Sequence, residues 1–174
     1  MGADLVTAPG LRRMAISYYD LDGNRLWVKA YYDDILNGVI QDREGNIVVC
    51  GMAYNNSASY TDLTGAPPLT VYSSATQTNL GALSASNPCN GNSTSGNGLM
   101  FVMKVDLTGA IIWNHLYTPG STLNEARHRS WGFDLVETNT NDELGYRVVG
   151  FGTQVDSDPA DDWRRPFMVQ LNDE

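Results

Sequence analysis

Among the 174 residues, the side chains able to do chemistry are scattered acids, two histidines, two cysteines and a group of tyrosines and asparagines. Asp20-Leu21-Asp22-Gly23-Asn24 places acids at alternate positions, as loops that hold hard cations do. The matching Asp106-Leu107-Thr108-Gly109 keeps one acid. A tight turn needs Asp and Gly for backbone reasons alone, so turn formation is the reading adopted and no metal is expected. Asp156-Ser157-Asp158-Pro159-Ala160-Asp161-Asp162 is denser in charge but has no following glutamate at cation-loop spacing, and reads as a solvated loop. Glu125, Asp134 and Asp156 are the acids that loops would have to bring together for a polysaccharide hydrolase or lyase. That chemistry needs two carboxyl groups about 5–9.5 Å apart. No spacing in the sequence pairs them, so this is the alternative function and no catalytic residue is assigned.

His115 alternates onto the same strand face as Trp113, which points to packing or an interblade hydrogen bond. His128, in Ala126-Arg127-His128-Arg129, reads as a surface histidine. A general base at His128 needs a positioned nucleophile or acid, and the sequence names none. Cys50 closes the apolar run Ile47-Val48-Val49 and behaves as a small hydrophobe, while Cys89 lies in a polar loop. Spacing alone leaves open whether the two pair. Tyr54, Tyr60 and Tyr72, with Asn55 and Asn92 nearby in sequence, have the polar-aromatic character of a binding surface. They fall in a polar insertion at about 54–98, which also holds two glycosylation-type triplets, Asn55-Asn56-Ser57 and Asn92-Ser93-Thr94.

What positions these groups follows from composition and from a repeat. Eleven Lys and Arg against 20 Asp and Glu give a formal charge of −9, which disfavours nucleic acid or an anionic membrane as partner. A hydrophobic content of 42% is enough for a core, and no run of 18 apolar residues is present to span a bilayer. The first residues, Met-Gly-Ala-Asp-Leu-Val, lack a signal-peptide core, so the chain either stays inside the cell or has lost a leader. Its length suits a single domain covering 1–174.

The segment from Ile16 to Tyr31 aligns without a gap on Val102 to Tyr117. Asp20/Asp106, Leu21/Leu107, Gly23/Gly109, Trp27/Trp113 and Tyr31/Tyr117 are identical pairs. A third copy begins at Phe167-Met168-Val169-Gln170-Leu171-Asn172, echoing Phe101 to Asp106. Between these lie two looser hairpins, Gly38 to Gly51 and Phe133 to Gly150, each ending in a β-branched run and a glycine. Strands are therefore expected at 14–20, 25–32, 37–42, 46–53, 100–106, 110–117, 130–138, 145–152 and 166–172. Leu69-Thr70-Val71-Tyr72 is a candidate extra strand, and Thr122 to Arg129 offers at most one helical turn. The chain is expected to be all-β.

Asp106-Leu107-Thr108-Gly109 followed by Trp113 resembles the tryptophan-docking repeat of quinoprotein-like β-propellers, and more closely the repeats of secreted bacterial propellers. The Asp-to-Gly spacing is one shorter than in the usual quinoprotein repeat, and nothing marks a quinone pocket, so no cofactor is carried over. The Gly-to-Trp spacing also misses the Asp box of sialidases. The resemblance implies a partial ring of four-stranded antiparallel blades and a secreted or periplasmic location. The repeats, the acidic surface and the lack of a catalytic set point to a non-catalytic role in binding a protein or glycan or in assembly. On this reading the chain supplies two strands of one blade, one whole blade, and three strands of another. A ring needs four to eight blades. Either the sequence is part of a longer protein or three or four chains complete one ring. A β-sandwich of nine strands is the alternative fold.

Overall fold

The computed structural model describes residues 15–30, 34–54, 70–73, 79–82, 98–118, 129–140, 143–154 and 163–173. It is all-β among these residues, with eleven strands in chain order. They are β1 Ala15–Tyr19, β2 Arg25–Ala30, β3 Asp34–Gln41, β4 Ile47–Tyr54, β5 Thr70–Ser73, β6 Asn79–Ala82, β7 Gly98–Val105, β8 Ile111–Thr118, β9 Arg129–Thr140, β10 Glu143–Gln154 and β11 Trp163–Asn172. All nine expected strands are present, each within a few residues of its expected bounds.

The strands form three sheets. The first holds β1-β2; the central sheet runs β3-β4-β7-β8-β5-β6; the third runs β11-β10-β9. The central sheet contains the four antiparallel strands expected of a blade, β3-β4-β7-β8. Two strands from the insertion extend it, because β5 adds in parallel to β8, pairing Tyr72 with Tyr117, and β6 then pairs with β5. The edge that β8 would otherwise present is thereby covered.

Strict alternation in β4 and β7 lets the central sheet bury both faces. Ile47, Val49, Leu99, Phe101, Met103 and Val105 pack with Leu116 and Ile16 toward the first sheet. Val48, Cys50, Met100 and Val102 pack with Tyr117, Leu135, Tyr146, Val148, Val169 and Leu171 toward the third. Each such fully buried large side chain contributes about 1.5–3 kcal/mol. The sheets stack as three layers, with β4 and β7 of the middle one buried on both faces.

The three hairpin turns Asp20–Asn24, Asp42–Asn46 and Asp106–Ala110 share one geometry. In each, the Asp N–H donates to the carbonyl four residues on, at 3.0, 2.9 and 2.9 Å, and the glycine N–H donates back to the Asp carbonyl. The Asp Oδ1 accepts two further backbone N–H groups in every case. Gly23, Gly45 and Gly109 sit at φ +85, +89 and +76, where a side chain would be strained. The middle turn was visible as a Gly turn in sequence, but its identity with the other two is a structural finding.

A second shared device lies in the looser hairpins. β3 bulges between Leu36 and Gly38 opposite Gly51, and β9 bulges opposite Gly150. A Cβ on Gly51 would fall 1.9 Å from the Ile35 carbonyl oxygen, and one on Gly150 would fall 1.9 Å from that of Trp131. Gly51 and Gly150 are thus equivalent positions, and the bulge is part of the repeat.

Candidate functional site

The outstanding polar site lies where the central and third sheets meet. β7 alternation sends Lys104 toward the third sheet, among apolar neighbours, and the side chain is only 3% exposed. Its ammonium is met by acids from three directions. Asp42 and Glu44, on the β3–β4 turn, approach to 3.1 Å each, and Asp173, just after β11, to 2.5 Å. The Asp42 side chain is fully buried, whereas Glu44 is half exposed. Tyr146 of β10 donates its hydroxyl to Asp42 Oδ2 at 2.8 Å and lies under the ammonium, 5.7 Å from ring centroid to Nζ. Trp113 of β8 donates its indole N–H to Asp173 Oδ1 at 3.1 Å.

The electrostatics follow from these contacts. Burial works against charge on Asp42, but the bonds from Tyr146 and Lys104 outweigh it and hold the carboxyl below the ordinary value. Burial likewise opposes the Lys104 ammonium, and the bonds to Asp173, Tyr146, Asp42 and Glu44 override it and raise the lysine. Burial, then the bond donated to Asp42, raises the Tyr146 phenol. An oxygen from each of Asp42, Glu44 and Asp173 lies within 4.8 Å of the others, a spacing that suits a cation. The chain's own ammonium fills that role. Asp42 is also badly placed as a general acid, which needs a raised pKa. The arrangement is an ionic clasp joining β7, the β3–β4 turn and the end of β11.

The tryptophans perform the sheet-to-sheet contact. Trp27 donates its indole N–H to the Leu107 carbonyl at 2.7 Å, crossing from the first sheet to the turn of the central one. Trp113 crosses from the central sheet to Asp173. Residues 107 and 173 are the same position in successive copies, since Phe101 to Asp106 aligns with Phe167 to Asn172. Both steps of the stack therefore use the same donor on the same relative position. The partners beside it differ: Tyr18 stacks on Trp27 at 5.7 Å, whereas its repeat equivalent Lys104 is the centre of the clasp. Ser130 and Asn37 add neutral stitches between the central and third sheets. Ser130 Oγ donates to the Tyr117 carbonyl and accepts from Met100 N–H, and Asn37 donates to the Gly132 carbonyl.

Trp27 lies on β2 and Trp113 on β8, Asp20 and Asp106 open two of the turns described above, and Gly23 and Gly109 hold positive φ within them. Asp20 Oδ1 and Oδ2 are engaged by Asp22, Asn24 and the Asn24 amide, which pull this carboxyl below its usual value. His115 lies stacked on Trp113 at 4.9 Å, as packing required, and burial lowers its pKa. Burial pushes the Cys50 thiol up to about 12, so it is a core residue. Asp134 lies exposed on β9, its carboxylate accepting the Leu135 N–H. Tyr54 ends β4 and Tyr72 lies on β5. Tyr60, Asn55, Asn92, Glu125, Asp156, His128 and Cys89 lie outside the described residues. The clasp residues Lys104, Asp42, Asp173 and Tyr146 were not singled out from sequence. The available signal was a lysine at an otherwise apolar alternating position, Met100-Phe101-Val102-Met103-Lys104-Val105. No known protein family matches the chain, and no curated protein does.

Proposed function

We propose that the chain is a non-catalytic, β-propeller-like module that works by binding or assembly, with a protein or a glycan as its ligand. The observation that carries this reading is the constant step of the stack, in which an indole of one sheet docks on the same repeat position of the next. Repeats that each bury their faces on neighbours are the logic of a propeller. The clasp supports it too, since its charges are paired with one another between sheets and are not presented to a substrate. The ligand face is the 54–98 insertion, with Tyr54, Tyr60, Tyr72, Asn55 and Asn92 as contact residues.

The test uses affinity electrophoresis against a panel of polysaccharides, with released reducing ends measured in parallel. Retardation by a glycan without new reducing ends is the expected result for a glycan binder, and Tyr60→Ala with Tyr72→Ala should abolish it. New reducing ends would overturn the non-catalytic reading in favour of a hydrolase.

A further inference from the structure

Around the Lys104 nitrogen, the clasp assembles the parts that formation of an amide bond needs. Asp173 is the nearest carboxylate, its Oδ2 lying 2.5 Å from Nζ. It is held in place from two sides. Its backbone N–H donates to the Leu144 carbonyl at 3.0 Å, and its Oδ1 accepts the Trp113 indole N–H at 3.1 Å. A donor on that oxygen stands where negative charge gathers when a nucleophile adds to the carboxyl carbon. Asp42 Oδ2 lies 3.1 Å from the same Nζ and is fixed by the Tyr146 hydroxyl. Its bonds keep it below the ordinary carboxyl value, which makes it an acceptor of protons at neutral pH. The side chains of Lys104, Asp42 and Asp173 are 3%, 0% and 11% exposed, so water is largely kept from the three. Nucleophile, electrophile, charge-stabilising donor and proton acceptor thus arrive from β7, the end of β11, β8 and the β3–β4 turn, preset in one place.

We propose that the chain joins Lys104 Nζ to Asp173 Cγ in an intramolecular amide bond, using its own side chains as the machinery. The proton that Lys104 shares with Asp173 passes to Oδ2, leaving a neutral amine beside a neutral carboxyl. Nζ then attacks Cγ, and charge gathers on Oδ1 beneath the Trp113 indole N–H. Asp42 takes the second proton from the nitrogen and delivers it to Oδ2. The Cγ–Oδ2 bond breaks, Oδ2 leaves as water, and Oδ1 becomes the amide carbonyl. One ammonium and three carboxylates become two carboxylates, so net charge is unchanged and no oxidant or co-reactant is needed. The bonds around Lys104 favour its charged form, so the neutral pair is scarce and the reaction slow. It occurs once per chain and consumes no substrate, which leaves the non-catalytic reading as it stands. The product ties β7 to the end of β11 covalently, and the contact between the central and third sheets then no longer depends on charge.

Electrospray mass of the denatured chain reads the bond directly. The folded chain is first held at pH 7 until its mass stops changing. The expected species is one water lighter than the sequence mass, and digestion should release a branched peptide joining the Lys104 and Asp173 segments. Lys104→Arg and Asp173→Ala should each keep the full sequence mass. Asp42→Asn leaves both partners in place and removes the proton acceptor, so it should slow the loss of water about a hundredfold. A folded wild-type chain that stays at the full sequence mass overturns the proposal, whatever the variants do. So does a loss of water that survives in Asp173→Ala, or one that maps to Asp22-Gly23, where an aspartate before glycine closes on its own backbone. An Asp42→Asn chain that reacts as fast as wild type overturns the role given to Asp42.

Discussion

Replacing Lys104 by methionine keeps an unbranched apolar stem, one atom shorter, and removes the charge around which the clasp is built. In the wild type the ammonium lies 3.1 Å from Asp42 and 2.5 Å from Asp173, and Asp42 is fully buried. Removing one member of a buried ion pair leaves an uncompensated charge, which costs about 3–5 kcal/mol. Glu44 is half exposed and Asp173 reaches the rim, so solvent softens the loss toward the lower figure, about 3 kcal/mol. For a chain of this length that corresponds to a fall of about 6–12 °C in the unfolding midpoint. Thermal unfolding followed by circular dichroism at pH 7 measures it. The acid limb supplies a second check. Asp42 has its folded pKa depressed, so its contribution is present above the unfolded value, about 3.9, and is lost as pH falls through the folded one. Without Lys104, Asp42 keeps the bonds from Tyr146 and its own turn but loses the ammonium that helped to hold it down, so its carboxyl rises from the wild-type position and takes up a proton earlier as pH falls. The gap between wild type and Lys104→Met should therefore narrow toward pH 4. Adding Asp42→Asn to the variant should recover more than half of the loss, since both charges are then gone together. A Lys104→Met midpoint within 2 °C of wild type at pH 7, or a double variant weaker than the single one, would refute the clasp.

Three further outcomes follow from the same geometry. Gly51→Ala and Gly150→Ala should each cost about 3 kcal/mol in urea unfolding, because both place a Cβ 1.9 Å from a paired carbonyl oxygen at an equivalent bulge; a loss at only one of them would break the equivalence. His115 has its folded pKa lowered, so stability is full above the unfolded value, about 6.5, and declines as pH falls below it. The wild-type midpoint should accordingly fall more between pH 7 and pH 5 than that of His115→Gln. Calcium and a chelator should leave the midpoint unchanged, because the Asp20 oxygens already accept bonds within their own turn.

What the sequence made legible is what local rules decide. The Asp-x-x-Gly turns, the two-residue alternation of Phe101 to Val105 and the recurring tryptophans each depend on neighbours within a few positions, and each stands as the spacing required. The strands of the insertion were only half visible. Leu69-Thr70-Val71-Tyr72 has strand character, but Asn79–Ala82 has little, and its pairing is set by β5 lying along β8. Tertiary edge-filling, not propensity, makes that strand. The number of layers was also hidden. Counting strands by fours gives about two blades, whereas the faces of β4 and β7 show that a two-stranded sheet already serves as a layer of its own.

The clasp was hidden for a different reason, and that reason bears on how the stack is ordered. Self-similarity draws the eye to positions that repeat, such as Trp27 and Trp113. The clasp uses a position that does not: residue 18 is tyrosine, 104 is lysine and 170 is glutamine in equivalent places. Its acids also come from dissimilar sources, a hairpin turn for Asp42 and Glu44 and the residue after a strand for Asp173. Three sheets built on one pattern bury similar apolar surfaces, so apolar packing alone distinguishes poorly between the first and the third as neighbour of the central one. A buried lysine does distinguish, because only the third sheet carries Tyr146 and Asp173 to meet it, while the first offers the Tyr18–Trp27 stack. Misordered sheets would leave Lys104 with Asp42 and Glu44 of its own sheet but take away Tyr146 and Asp173, under-compensating a buried charge cluster at a cost of several kcal/mol. The apolar repeat supplies the adhesion between layers, and the charged departures from it, the Lys104 clasp with the Arg43–Glu137 pair, supply their order.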